Sequence, residues 1–272
     1  MSRPSQRLGL GLVVLLAACL VGAPAPGASL AQQHNWPHWR GPLMNGTAPD
    51  AKPPVRWSET ENVRWKTKLP GLGHSTPAVW GDRILLTTAR PVGEPLEKPI
   101  PDSAPGAHDN YPVTNRYEFI VLAVNRDDGA ILWEKKVHEA LPHEGAHYTA
   151  SLASASPAAD AEHFFAFFGS YGLSCLRHEG ELVWEKSFGR MQSKHGHGEG
   201  SSPVLSGDTL VVNWDHEEQS FVVALDKRTG KERWRVNRDE LTSWASPIVV
   251  EHAGQQQGIV SGTQRVRAYD LA

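Results

Sequence analysis

Cysteine is almost missing from this chain. Only Cys19 and Cys175 occur in 272 residues, which excludes a framework of several disulfides whatever the compartment. An excess of one charge is missing as well. With 27 Lys and Arg against 30 Asp and Glu, the net charge is −3 and no basic stripe forms, so the electrostatic footprint of a nucleic-acid-binding surface is absent. Long apolar runs occur once, at the N-terminus, and no later stretch is long enough to span a bilayer as a helix. Familiar catalytic signatures are lacking: there is no Gly-x-Ser-x-Gly, no zincin helix motif and no P-loop. Thr229-Gly230-Lys231 has only the tail of a P-loop, without the upstream glycine spacing.

What the chain has in quantity is turn residues and tryptophan: 25 Gly, 20 Pro and 10 Trp. Three tryptophans are periodic. Trp133, Trp184 and Trp234 recur about every 50 residues, each four residues after a glycine, Gly129, Gly180 and Gly230. Upstream of each lies an apolar run, and with the run that follows it reads as a β-hairpin whose turn glycine reaches positive φ. Thr76-Pro77, Ser156-Pro157, Ser202-Pro203 and Ser246-Pro247 mark a second recurring position, since proline is tolerated at the head of a strand. Gly81-Asp82 and Gly207-Asp208 supply a further turn. Each unit thus reads as four antiparallel strands, A to D, at a period that marks propeller blades.

The pattern Ala-x-Asp-x-x-Thr-Gly-x-x-x-Trp at Ala224 to Trp234, with Ser-Pro and Gly-Asp upstream, resembles the quinoprotein-type, or PQQ-binding-like, β-propeller repeat. The resemblance runs from about Trp65 to the end. Trp36-Pro37-His38-Trp39-Arg40-Gly41-Pro42 resembles the leading segment of secreted bacterial members. The fold expected is all-β, a propeller of four-stranded antiparallel blades. Blades are expected at about 75–137, 148–187, 200–236 and 244–272, after an irregular segment 32–62 and an unpaired outer strand 63–69 carrying Trp65. The resembling rings have six to eight blades, so four suggest a partial ring cut from a longer parent. Trp214-Asp215 occurs once and does not make this a WD-repeat chain.

Arg3 and Arg7 precede an apolar stretch from Leu8 to Val21, and Ser29-Leu30-Ala31 follows. This reads as a secretory signal over 1–31, cleaved after Ala31. Leu16-Ala17-Ala18-Cys19 also resembles a lipobox, which would make Cys19 a lipid anchor. The expected location is the periplasm or cell envelope.

In a blade, the D-to-A and B-to-C connections leave on one face and the tight glycine turns on the other. His74, His108, His138, His143, His147, His195, His197 and His216 all fall on the first face. Lys194-His195-Gly196-His197-Gly198-Glu199-Gly200 is its densest piece. His195, His197 and Glu199, with His143 or His147 from the adjacent connection, form a candidate divalent-metal set. The same loop also reads as a purely hydrogen-bonded one. Ala89 to Arg116, with six prolines, is expected as an irregular insertion over this face, and Asp215 to Glu218 as a solvated acidic turn. Two functions follow. One is a non-catalytic, BamB-like exported scaffold holding a protein partner or small ligand on its loop face, with no nucleic acid and no required cofactor. The other, implied by the resemblance, is a PQQ-dependent dehydrogenase of alcohols or sugars, whose family site uses adjacent cysteines and calcium ligands. This chain has no adjacent cysteines, and no catalytic residue is assigned.

Overall fold

The computed structural model describes residues 35–272; the expected export signal and Cys19 lie outside the described residues. Strands β1 (Ala78–Trp80), β2 (Arg83–Val92), β3 (Asn110–Tyr111), β4 (Arg116–Asn125), β5 (Ile131–Ala140) and β6 (Ala146–His147) come first. Of these, β1-β2-β4-β5 make a four-stranded antiparallel blade, and β3 pairs with β6 in a separate ribbon. The second blade is β7 (Ala158–Ala159), β8 (His163–Phe167), β9 (Leu173–Arg177) and β10 (Leu182–Lys186). The third is β11 (Val204–Ser206), β12 (Thr209–Trp214), β13 (Ser220–Asp226) and β14 (Glu232–Arg238), and the three-stranded fourth is β15 (Ile248–His252), β16 (Gln255–Ser261) and β17 (Val266–Asp270). The expected fold class holds: an all-β chain of propeller blades. Among the described residues no helix is long and apolar enough to cross a membrane.

The middle strands explain why the blades stack. Successive side chains of a strand point to opposite faces, and β4 is buried on both. Phe119, Val121 and Ala123 pack on Phe164, Ala166 and Leu176 of the second blade. Ile120, Leu122 and Val124 turn the other way, onto Trp65 and Leu69. Phe165, Phe167 and Cys175 of the second blade meet Leu210, Val212 and Val223 of the third.

The glycine-to-tryptophan motif proves to be a lock between neighbours rather than within a blade. Trp133 of the first blade lies on Gly180 of the second, and Trp184 of the second on Gly230 of the third. A Cβ at Gly180 would fall 3.0 Å from the Trp133 ring, and one at Gly230 2.8 Å from Trp184. Each indole N–H donates to a carbonyl in the same turn, Trp133 to His178 at 2.8 Å and Trp184 to Lys227 at 2.9 Å. Trp65 repeats the arrangement on Gly129, donating to Arg126 at 3.0 Å. Trp234 stacks instead on Tyr269, ring centres 6.0 Å apart.

The Ser/Thr-Pro position carries a second lock that the strand-head reading does not foresee. The Thr76 amide donates to Ser156 Oγ, the Ser156 amide to Ser202 Oγ and the Ser202 amide to Ser246 Oγ, each at 2.9 Å. One hydroxyl per blade thus satisfies a buried amide of the blade before it, at about 1 kcal/mol net per bond.

Two expectations need correction and a third is extended. Residues 63–69 form no ladder: Trp65 and Leu69 pack on the outer face of β4, and Arg64, Trp65 and Thr67 engage the turn at Asn125–Gly129. The irregular segment does structural work. Trp36 bridges Val79 at 2.9 and 2.8 Å, Pro37 accepts from Ala159 at 2.7 Å, and His38, Trp39 and Arg40 reach the Ser-Pro positions of the third and fourth blades. It therefore runs across the innermost strands, and burial pushes the His38 imidazole down to about 4, keeping it neutral. Ala89 to Val92 and Arg116 belong to β2 and β4, not to the insertion. Pro91 sits opposite Tyr117, beyond the point where β1 runs alongside β2, so its missing N–H leaves no ladder bond unmade.

Gly207 and Gly230 both have positive φ, but a Cβ at Gly207 would meet open space. Gly207→Ala should therefore cost only backbone strain, about 1 kcal/mol, whereas Gly230→Ala adds displacement of Trp184 and should cost about 2–4 kcal/mol. Urea unfolding followed by tryptophan fluorescence measures both; equal losses would reject the lock.

Candidate functional site

The loop-rich face is built where the D-to-A connections meet the insertion. Tight turns do hold the opposite face, where Arg126 N donates to Asp82 O at 2.8 Å and Lys227 N to Asp208 O at 3.0 Å. At the centre of the loop face lies the 193–200 segment. Its Lys194 amide donates to Thr242 Oγ1 at 2.9 Å and its Gly198 carbonyl accepts from Trp244 Nε1 at 2.8 Å. Its His197 carbonyl accepts from the His147 amide at 3.2 Å and its His195 carbonyl from Asn110 Nδ2 at 2.6 Å. Glycine makes this convergence feasible: a Cβ on Gly196 would lie 2.5 Å from Asp102 Oδ1.

The structure divides the expected metal set in two. His143 and Glu199 lie together with Glu144, ligand atoms within 4.8 Å of one another, the one such trio among the described residues. His195, His197 and His147 lie apart from them and are joined by His108. Ring centres are 5.3 Å apart for His195 and His197, and 4.8 Å for His147 and His197. Glu144 escaped sequence reasoning, although its place beside His143 was a usable signal.

The inner trio is an internally satisfied cluster. Glu199 accepts from the Ser170 amide at 2.5 Å and the Ser170 hydroxyl at 2.6 Å. It fits only because residue 169 is glycine, whose Cβ would sit 1.5 Å from a Glu199 oxygen. Ser193 Oγ donates to Glu144 at 2.7 Å. His143 Nε2 donates to the Met191 carbonyl at 2.7 Å, and its Nδ1 lies 3.1 Å from the Tyr171 hydroxyl, so both ring nitrogens are engaged. Burial pushes the Glu199 carboxyl up to about 8, with the nearby Glu144 adding to the effect, and burial raises Glu144 too. Two small cavities flank them, about 10 Å³ each, room for a single water.

The imidazoles of the outer group lie near one another without carboxylates between them. Desolvation, then the neighbouring His108 and His147, lowers the pKa of His197, so it is neutral near pH 7. Against this group opens a 220 Å³ cleft lined by His147, Ala150, Ser154, His197, Glu199 and Trp244. A second, more apolar cleft of 250 Å³ runs between the insertion and the first blade, past Leu72, Pro91, Tyr111, Val113, Tyr117 and Leu152.

The 215–218 segment is not the solvated acidic turn expected. Asp215 is fully buried against Arg238, Oδ1 to Nε 2.7 Å and Oδ2 to Nη2 3.0 Å, and Arg238 Nη1 donates onward to Tyr269 at 2.6 Å. Glu217 accepts from the Thr242 hydroxyl at 2.6 Å. Asp215 thus fixes Arg238 within the third blade, and Arg238 in turn ties that blade to Tyr269 of the fourth.

A family model described as outer membrane protein assembly factor BamB matches residues 54–190 and again 173–272. No curated protein matches the chain. Among solved structures, a europium-containing methanol dehydrogenase is similar at 15% identity, covering 65% of this chain and 30% of that one, TM-score 0.38. BamB from Moraxella catarrhalis is similar at 13% identity, covering 76% of this chain and 66% of that one, TM-score 0.37. Quinohemoprotein alcohol dehydrogenase from Comamonas testosteroni is similar at 13%, covering 85% and 46%, TM-score 0.39. The chain thus spans 30% of the length of the methanol dehydrogenase.

Stability should report the Glu199 proton. Its folded value of about 8 lies above the unfolded 4.5, so below about 4.5 both states hold the proton. Stability then falls as pH rises through 4.5 to 8, where only the unfolded chain releases it. Glu199→Gln, which can still accept from Ser170, should flatten this fall, so that its stability relative to wild type is about 2–4 kcal/mol more favourable at pH 8.5 than at pH 4.5. Parallel pH profiles of mutant and wild type in urea unfolding would show the acid to be ordinary.

Proposed function

This chain belongs to the BamB-like family of PQQ-type propeller repeats, and on that premise we propose that it is a non-catalytic exported scaffold that holds a protein partner on its loop-rich face. One observation carries the reading. The acids at its centre, Glu144, Glu199 and Asp215, are bonded internally, while Tyr111, Tyr148, Leu241 and Trp244 stand exposed at 58%, 56%, 47% and 44%. Large apolar and amphipathic side chains at a rim suit recognition of a polypeptide surface.

A quinone reading is less well supported. Cys175 is the one cysteine among the described residues, buried in the second blade with its thiol pushed up to about 12 by desolvation; a vicinal disulfide has no counterpart there. Glu199, Glu144 and Asp215 are bonded to Ser170, Ser193 and Arg238; the cavities that Glu199 shares with Asp215 and with Glu144 are about 10 Å³ each, and Glu199 is the one acid lining the 220 Å³ cleft. The residues present do not fit a flat tricyclic quinone over calcium. Export to the periplasm, with Cys19 as a candidate lipid anchor, belongs to the same reading.

A photo-crosslinking residue placed at Tyr148 or Leu241 should give a discrete protein adduct in the cell envelope, and one at Lys231, in a turn of the opposite face, should not. Adducts of equal yield from both faces would count against the scaffold. So would dye-linked oxidation of alcohols or sugars by purified protein supplied with PQQ and calcium.

A further inference from the structure

Four imidazoles from separate parts of the chain meet at the rim of the loop face. His108 comes from the proline-rich insertion, His147 from the end of β6, and His195 and His197 from the glycine-rich loop. Ring centres lie 4.8 Å apart for His108 and His197, 4.8 Å for His147 and His197, 5.3 Å for His108 and His195, and 5.3 Å for His195 and His197. Imidazoles that share one tetrahedral ion through metal–nitrogen bonds of about 2.0–2.1 Å have ring centres roughly 5 Å apart.

The hydrogen bonds of three of the rings point the same way. His195 Nδ1 lies 3.1 Å from the Pro105 carbonyl and His108 Nδ1 3.1 Å from Asp109 Oδ2. Both partners accept only, so each Nδ1 carries the hydrogen and each Nε2 keeps its lone pair. His147 differs: its Nδ1 accepts from the Thr149 amide at 3.3 Å, beside the Thr149 hydroxyl at 2.8 Å, so this ring must pass its hydrogen from Nε2 to Nδ1, facing that hydroxyl, as the ion binds. His197 Nε2 is buried and has no hydrogen-bond partner, a state that costs free energy unless something meets the nitrogen. Oxygen acceptors behind Nδ1 are the usual outer support of a metal-binding histidine.

We propose that His108, His147, His195 and His197 bind one divalent transition ion of the zinc class through their Nε2 atoms. The inner trio is a poorer host, because both nitrogens of His143 are engaged and its remaining donors are carboxyls. Ion binding draws the more exposed rings of His108 and His195 inward by side-chain rotation, since only the inner trio already has ligand atoms within 4.8 Å. The ion then cross-links the insertion to β6 and to the 193–200 loop, fixing the rim beside Tyr111 and Tyr148.

The test uses the purified full chain, made without a histidine tag and stripped of metal with a chelator. Titration calorimetry with zinc chloride should show one ion per chain, with no saturable heat from calcium or magnesium chloride. His108→Ala and His197→Ala should each weaken zinc binding at least tenfold, with His197→Gln in reserve should His197→Ala fold poorly. His252→Ala, altering an exposed imidazole on β15, should leave it unchanged. Zinc should also slow proteolysis within residues 93–115 of the wild type but not of His108→Ala. Absence of one-to-one binding by the folded chain, or binding indifferent to both His108 and His197, would overturn the site.

Discussion

An indole laid on a glycine of the next blade is the contact on which the rest of this fold depends. A four-stranded blade alone leaves both faces of its middle strands apolar, and those faces are covered only when blades stand in fixed register. The ring supplies that register. A fully covered tryptophan removes about 150–250 Å² from water, on the order of 4–6 kcal/mol at ~25 cal/mol per Å²; the half-buried rings here give less. Specificity comes from the other side of the contact, because the ring needs a position where no Cβ stands and a carbonyl where its N–H can end. Trp65 keeps this relation although it belongs to no strand, which shows that the docking geometry does not require a sheet behind it.

The inner edge of the blades meets a different demand. Buried amides near the Ser-Pro positions lie beyond the strand ladders, and unpaired amides in such a place are costly. Hydroxyls lent from one blade to the preceding one satisfy them, and the segment from Trp36 to Arg40 closes over the same edge. The buried Arg238–Asp215 pair extends the logic to the loop face. Alone it is weak evidence of net stability, yet removing either partner would strand a charge in the interior at about 3–5 kcal/mol. Loop geometry around Glu199 and His197 is therefore inherited from contacts that hold blades together.

Periodic features were legible in the sequence and pairwise ones were not. Trp133, Trp184 and Trp234 with their glycines disclosed the blades, since a repeat states its own frame. The Ser-Pro steps were visible as markers, but their hydroxyl acceptors belong to the next repeat, and a local reading stops at the strand head. Asp215 looked solvated because Arg238 stands 23 residues downstream and nothing at residues 215–218 names it. Glu144 and Glu199 illustrate the same limit: 193–200 was singled out from composition, while its division, Glu199 with an inner acid group and His195 and His197 with an outer imidazole group, depends on contacts with distant segments. Pro91 argued against a strand until the shortness of β1 removed the objection.

Both interblade locks run in one direction. The amide of each blade waits for a hydroxyl from the blade that follows it, and each indole waits for a glycine turn that is likewise later in the chain. A chain emerging from a ribosome or translocase N-terminus first would therefore always carry one unmet amide and one uncovered ring at its growing end, and each new blade would quench the pair left by its predecessor. Folding of such a repeat has a built-in arrow of time.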